Sequence, residues 1–235
     1  MILAHFIGDF LLQFDKLYAL KNKHISGVFL HSLIIYCCLL AFSWPYLGQI
    51  SLWILVTPIA SLHFIQDWAK IRFTKDSKHN LFFFILDQIL HVSLLAALFL
   101  TNLRTSVPPL NSNNNMFIAL YNNDFIVLYL AAVIISSYMG YFVIVLFKNE
   151  YLHQESHYTY FEKNYGFAER FMITSILLIE ALSLFLIPFV LALRPLLFRI
   201  MKRKWNLSVQ FVSLREMILS GAYGALIGLI FRFFV

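Results

Sequence analysis

Three histidine–aspartate pairs in the first 91 residues share one spacing. In each pair the two residues are four positions apart; the pairs are His5 and Asp9, His63 and Asp67, and Asp87 and His91. Residues four apart lie on the same face of an α-helix. Each pair therefore predicts a helix that presents one imidazole and one carboxylate from a single stripe, and His31 adds a fourth imidazole from a separate apolar segment.

Neutral imidazoles and carboxylates are ligands of zinc, manganese and iron. Helical bundles build such sites from inward-facing side chains one turn apart. We therefore predict a divalent metal site, with zinc or manganese as the favoured ion. The predicted ligands are His5, Asp9, His31, His63, Asp67, Asp87 and His91. This set exceeds the four ligands of one closed zinc site, so it fits either two metals or one metal with outer hydrogen-bonding carboxylates.

Roles within this set follow from the same chemistry. Asp9, Asp67 and Asp87 are the candidate catalytic carboxylates, because an aspartate that does not coordinate the metal can act as a general base. Gln13, four positions after Asp9, and Gln88, next to Asp87, are candidate hydrogen-bonding supports of the ligands.

Two other interpretations of the cluster remain open. Chains of Asp and His inside membranes also form proton or ion pathways in transporters. A buried polar network can also simply hold helices together.

The elements that carry these residues are membrane helices, according to the composition. Hydrophobic residues make up 60% of the 235 residues and charged residues 13%, against roughly 45–50% and about 25% in soluble domains. A soluble core of this size could not bury so much apolar surface. The composition predicts an integral membrane protein and excludes a disordered chain, a disulfide scaffold and a cytosolic α/β enzyme.

Seven apolar runs divide the chain; they cover 1–14, 26–43, 50–69, 81–101, 125–147, 171–193 and 207–235. About 20 helical residues cross a bilayer, so the first run is short and fits a partial, tilted or re-entrant segment. We predict an all-α polytopic helical bundle with six or seven hydrophobic segments. Its parts are membrane helices with the His/Asp cluster in 1–101, a polar loop in 102–124, and membrane helices in 125–235 with a basic connection at 194–204.

Charge predicts the orientation of the first half only. The chain has 18 Lys and Arg against 12 Asp and Glu, and such an excess usually belongs to cytoplasmic loops. This rule places 15–25 and 70–80 in the cytoplasm. Three apolar runs separate 70–80 from 194–204, which conflicts with the rule unless one run, such as 171–193 with Glu180 and Pro188, fails to cross.

Polar residues in the second half of the chain give weaker indications of a functional site. His153 and His157 are four apart in a charged connection, which favours a solvated helical face. Glu180 is an isolated acid whose candidate partners are Arg170, Arg194 and Arg215.

The segment AHFIGDFLLQ at 4–13 resembles the bacterial membrane proteins grouped as domain of unknown function family 3307. The resemblance includes a His-x-x-Gly-Asp-Phe-x-x-Gln motif, a lone His, His-x-x-x-Asp and Asp-Gln-x-x-His. These positions are His5, Gly8, Asp9, Phe10 and Gln13; His31; His63 and Asp67; and Asp87, Gln88 and His91. A looser C-terminal similarity includes Gly166, Glu169, Arg170, Arg199 and Glu216. The resemblance implies a helical membrane fold, a bacterial inner-membrane location and these site residues, and it implies no activity or cofactor.

The leading functional prediction is a metal-dependent membrane hydrolase that acts on a lipid or lipid-linked phosphate. The alternatives are a metal-ion or proton-coupled transporter that uses the same cluster, and a non-catalytic anchor or signalling subunit. The expected partners are membrane lipids and a second copy or another membrane subunit, with no nucleic acid.

Overall fold

The computed structural model describes residues 1–74, 77–96, 116–155, 158–179 and 181–234. Every regular element in these ranges is helical, and none of them contains a β-strand. The protein is an all-helical integral membrane protein, as the composition predicts. The chain divides into two compact units, Met1–Asn123 and Asp124–Val235.

The described part of the first unit contains six α-helices and carries the predicted cluster. They are α1 (Ile2–Phe6), α2 (Asp15–Lys23), α3 (Ile25–Phe42), α4 (Ile50–Thr74), α5 (Asn80–Ala96) and α6 (Met116–Tyr121). A π-helical turn at Ile7–Leu11 continues α1, and a short 3-10 helix at Trp44–Tyr46 follows α3. The buried apolar core of this unit lies between α1, α3 and α4, and includes Ala4, Ile35, Leu39, Leu52 and Val56.

In the ranges that the structure describes, the second unit contains five α-helices, and residue types at their ends explain two of the boundaries. They are α7 (Asp124–Ile134), α8 (Gly140–Tyr151), α9 (Tyr160–Ile179), α10 (Ile187–Trp205) and α11 (Leu214–Arg232). A π-helical turn at Ile135–Met139 joins α7 to α8, and 3-10 helices at Ala181–Leu186 and Val209–Val212 flank α10. Thr159 and Glu162 exchange hydrogen bonds as a capping box at the start of α9. Asn206, at φ 48°, ends α10 in the left-handed conformation.

Five helices in the described ranges are long and apolar enough to span a membrane; they cover Ile25–Phe42, Ile50–Thr74, Asp124–Tyr151, Leu184–Trp205 and Leu214–Arg232. Ile2–Leu11 and Asn80–Ala96 are shorter apolar helices. The first apolar run is therefore shorter than a full span, in agreement with the sequence.

The structure corrects the predicted course of the chain around 171–204. The apolar run 171–193 is divided: α9 ends at Ile179, and a separate span covers Leu184–Trp205. Pro188 lies in the first turn of α10. The first turn of a helix tolerates the fixed φ and the missing N–H of proline, so Pro188 favours a helix start at this point. The basic residues of 194–204 belong to α10 rather than to a separate connection between helices.

The structure also bears on the polar residues predicted in the second half of the chain and on the predicted loop at 102–124. His153 lies beyond the end of α8, exposed and at φ 48°, so it does not share a helical face with a neighbour. His157, Glu180 and most of the predicted 102–124 loop lie outside the described residues.

Gly27 allows α3 to approach α2 closely, and this contact helps to position the site. A Cβ at Gly27 would lie 2.4 Å from the backbone carbon of Leu20 and 2.4 Å from the backbone nitrogen of Lys21. Only glycine lets α3 pack this closely against α2, and that packing brings Lys21 towards the centre of the unit.

Candidate metal centre

Three histidines from three helices face one another inside the first unit. His5 on α1, His63 on α4 and His91 on α5 are all buried. The rings of His63 and His91 stack with centroids 4.0 Å apart, and the ring of His5 lies 5.4 Å from His63 and 5.2 Å from His91. We call these three side chains the imidazole layer.

The imidazole layer lines a small cavity whose other wall is apolar. Ile35, Leu39, Ile59, Leu94 and Leu95 complete the lining. The cavity has a volume of about 10 Å³, which is the room that a single water-sized occupant needs. The cavity therefore fits an ion or a water molecule and not a larger ligand.

Several imidazole nitrogens in this layer have no hydrogen-bond partner among the described residues. They are His5 Nε2, both ring nitrogens of His63 and both ring nitrogens of His91. An unsatisfied buried polar atom costs free energy comparable to a lost hydrogen bond. Each neutral ring can offer one lone pair, and one nitrogen of each of the three rings lies within 4.8 Å of the other two, which is a donor set that a divalent metal can use.

Three buried aspartates form a second group, which we call the carboxylate layer: Asp9, Asp67 and Asp87. His31 connects two of them, because its Nε2 lies 3.0 Å from Asp9 Oδ1 and 3.4 Å from Asp67 Oδ2. Asp67 Oδ2 also lies 3.4 Å from His63 Nδ1, and Asp87 Oδ1 lies 3.7 Å from His91 Nε2. The expected convergence of all three pairs with His31 is therefore observed.

Two lysines that sequence reasoning assigned to cytoplasmic loops also enter the site. Lys21 Nζ lies 2.8 Å from Asp67 Oδ2, and Lys70 Nζ lies 2.7 Å from Asp87 Oδ2. We call Lys21 and Lys70 the ammonium layer. Lys70 follows Asp67 by three positions, so the sequence already indicated that the two side chains share a helical face. The positive-inside rule instead assigned Lys70 to a cytoplasmic loop.

The three layers follow one order along the helices. On α4 the order towards the helix end at Thr74 is His63, Asp67 and Lys70. At 1.5 Å per residue, Asp67 lies roughly 10 Å and His63 roughly 16 Å from that end. On α5, Asp87 likewise lies nearer than His91 to the helix start at Asn80. The ammonium layer therefore faces the end where α4 and α5 are joined.

The two candidate supporting glutamines make different contacts. Gln88 donates from Nε2 to Asp9 Oδ2 at 2.9 Å, which links α5 to the π-helical turn that holds Asp9. Gln13 accepts a hydrogen bond from Lys21 Nζ at 3.3 Å and lies beside the ammonium layer.

Three sets of side chains in the described ranges could each hold an ion, with one ligand atom per residue and all such atoms within 4.8 Å. The sets are His5, His63 and His91; Asp9, His31 and His63; and Asp67, Asp87 and His91. All seven predicted ligands occur in at least one set. The donor chemistry and the burial fit a divalent metal, and the overlap at His63 and His91 places the sets side by side.

The C-terminal residues that carried the looser resemblance lie in the second unit. Arg194 makes two hydrogen bonds to the buried Glu169, at 2.8 and 2.7 Å. Arg170 donates to the carbonyl oxygens of Ser136 and Ser137 in the π-helical turn. A further buried group joins Glu216 to Lys148, 2.6 Å away, and to Tyr158. Arg199 is exposed.

A family profile described as "Protein of unknown function (DUF3307)" matches residues 1–120. The match spans more than half of the chain. The protein belongs to this family. Every residue of the three layers lies within the part that matches DUF3307, whereas Glu169, Arg170 and Arg194 lie beyond it. No curated protein and no solved structure matches the chain.

Proposed function

We propose that the protein holds a divalent metal ion on His5, His63 and His91 and uses it to hydrolyse a phosphate ester of a lipid or a lipid-linked compound. The observation that carries this proposal is the set of unpartnered buried imidazole nitrogens around an ion-sized cavity. Three protein ligands that leave a coordination position open are typical of catalytic zinc. Zinc fits the imidazole set, and manganese fits if carboxylates also coordinate.

A bound divalent ion would polarise a phosphoryl oxygen and favour ionisation of water at neutral pH. The carboxylate layer supplies the proton acceptor: Asp67 lies between His31 and His63 and is almost completely buried. In the reaction water would attack phosphorus while Asp67 accepts one proton of the water, the bond from phosphorus to the alcohol oxygen would break, and Asp67 would return this proton to the alcohol oxygen, so that the alcohol leaves neutral and the carboxylate is restored. His31 holds Asp9 and Asp67 in place through its Nε2.

The lipid part of the proposal is supported by location. Five helices in the described ranges are long and apolar enough to span a membrane, which supports a site to which lipids would have direct access. A bacterial inner membrane fits the positive excess of the chain and the family resemblance. The cavity itself holds only an ion or water, so the substrate phosphate would approach the layers from outside this cavity.

A transporter for protons or metal ions is the second candidate, and one observation favours it. A continuous series of contacts runs from Gln88 through Asp9, His31 and Asp67 to Lys21. Proton relays in membranes use such Asp and His chains. A transporter also requires alternating access to both sides.

Elemental analysis of the protein purified in mild detergent tests the metal. We expect about one or two divalent ions per chain, zinc or manganese, from this ligand set. His63→Ala should lose most of the metal, because His63 belongs to two of the three candidate sets. His153→Ala, which alters an exposed histidine far along the chain, is the matched control. Wild-type protein that carries no more metal than His63→Ala after metal supplementation would refute the metal site.

Two assays with Asp67→Asn separate the functional classes. A hydrolase releases orthophosphate from phosphatidic acid only when a divalent metal is present, and loses this activity in Asp67→Asn. A transporter instead moves protons or metal ions across liposomes, and Asp67→Asn abolishes the flux. Metal-dependent phosphate release without flux supports the hydrolase, and flux without phosphate release favours the second candidate.

A further inference from the structure

The ammonium layer is not explained by metal binding. A cation site gains nothing from two fixed ammonium groups, since like charges repel and lysine has no lone pair to offer when protonated. Yet Lys21 is buried, and the side chain of Lys70 is only 25% exposed. Their burial is tolerable because Lys21 pairs with Asp67 and Lys70 pairs with Asp87, but these pairs reduce the negative charge that is available to a metal ion.

The charge balance identifies what is missing once a metal binds. With neutral imidazoles, three carboxylates against two ammonium groups leave one negative charge in the site. One divalent ion changes this to one positive charge. A buried net positive charge is costly unless it is paired, so the metal-loaded site favours an anion, which hydroxide would supply in the absence of substrate and a phosphate would supply when one binds.

The geometry indicates where that anion would bind. Lys21 and Lys70 lie on the side of the carboxylate layer that faces the joined ends of α4 and α5. Each ammonium has three N–H donors. Lys21 uses two contacts, to Asp67 and Gln13, and Lys70 contacts Asp87 and the ring of Phe84. A further acceptor can bind without breaking either aspartate contact.

We propose that Lys21 and Lys70 form a phosphate-binding site that orients a phosphate group towards the metal and the carboxylate layer. This inference rests on the proposed metal site. Phosphate oxygens are the anionic acceptors that lysine binds as a point charge. The phosphate enters from the side of the unit where Lys23 ends α2 and Lys78 lies between α4 and α5, because these exposed lysines attract anions. The phosphate group is either soluble orthophosphate or a lipid headgroup.

The test uses full-length protein loaded with Mn²⁺ in detergent. Phosphorus NMR measures the line broadening of orthophosphate, which grows when phosphate binds close to the paramagnetic ion. A second arm replaces orthophosphate by phosphatidic acid in mixed micelles, with phosphatidylcholine as the diester control. Broadening of both phosphates indicates recognition of the phosphate group alone, and broadening of phosphatidic acid only indicates that the lipid is required.

Lys21→Met and Lys70→Met should each weaken phosphate binding at least about tenfold, because each removes a charge-assisted contact. Lys16→Met is the matched control, at the opposite end of α2 and exposed, and should bind phosphate as wild type does. Lys70→Arg keeps the charge and should retain most of the binding, which separates loss of phosphate contact from loss of folding.

Metal content, measured on the same samples, distinguishes the two proposals. If the lysine variants keep their metal but lose phosphate, the phosphate site is supported. If wild type and both lysine variants hold metal and bind phosphate equally, or not at all, this inference is wrong while the metal site stands. If wild type holds no Mn²⁺, the proposed metal function fails, and the phosphate site fails with it.

Discussion

Each buried carboxylate of the site has a polar neighbour that makes its charge tolerable inside a membrane. Asp67 has Lys21, Asp87 has Lys70, and Asp9 has His31 and Gln88. The same rule operates in the second unit, where Glu169 is fully buried and paired with Arg194. Intramembrane ionisable groups are costly and occur in such pairs.

Arg194→Met should therefore destabilise the second unit by about 3–5 kcal/mol, because it leaves the buried Glu169 without its cation. Thermal unfolding in detergent measures the effect. Arg199→Met alters an exposed arginine on the same helix and should cost less than about 0.5 kcal/mol. Equal stabilities of the two variants would show that the pair contributes nothing.

Metal binding should weaken as the pH falls. Ligating imidazoles must be neutral, so protons compete with the metal for the same lone pairs. Burial disfavours the charged imidazolium, so the loss is expected below the ordinary histidine range of about 6.5. Metal retained after dialysis at pH 7, 6, 5, 4 and 3 measures it. Retention that is unchanged down to pH 3 would contradict imidazole ligation.

At the scale of elements, two features position the site: the contact of α2 with α3, and the π-helical turn at Ile7–Leu11 that holds Asp9. Single π-helical turns inside helices frequently occur at functional sites. The second π-helical turn, at Ile135–Met139, presents the carbonyl oxygens of Ser136 and Ser137 to Arg170. Both π-helical turns therefore give polar groups positions that they would not have in a regular α-helix.

Gly27→Ala should destabilise the first unit by about 1–3 kcal/mol, the usual cost of overpacking. The new Cβ would meet backbone atoms of α2, which cannot rotate away as a side chain does. Gly48→Ala is the control, since a Cβ there meets nothing within 4 Å. Thermal unfolding of both variants measures the difference in stability. A Gly27→Ala protein that is as stable as the Gly48→Ala protein would contradict the close packing of α2 and α3.

At the scale of the whole molecule, the site belongs to one compact unit. All residues of the three layers lie in Met1–Asn123, and the family profile matches nearly the same part, residues 1–120. The second unit has its own buried ion pairs and its own core. The chemistry that we propose is thus confined to the first half of the chain.

The orientation of the first unit follows from its basic ends. The positive-inside rule predicts that Lys23 and Lys78 are cytoplasmic, which places Gly48, between the spans α3 and α4, on the opposite side. Single-cysteine variants, made after replacing Cys37 and Cys38 by Ser, test this with a membrane-impermeant maleimide on intact cells. Gly48→Cys should react and Lys78→Cys should not. The reverse pattern would invert the orientation.

The sequence by itself determined the membrane class and the three pairs of the site, because composition and i,i+4 spacing are local properties that survive in any helical packing. Family membership followed from the same motifs. Tertiary structure alone decided that Lys21 joins the aspartates, that Lys70 pairs with Asp87 of another helix, and that the 171–193 run is divided between two helices. Which helix faces meet depends on contacts between distant segments, such as α2 with α3 at Gly27, and local periodicity does not specify them.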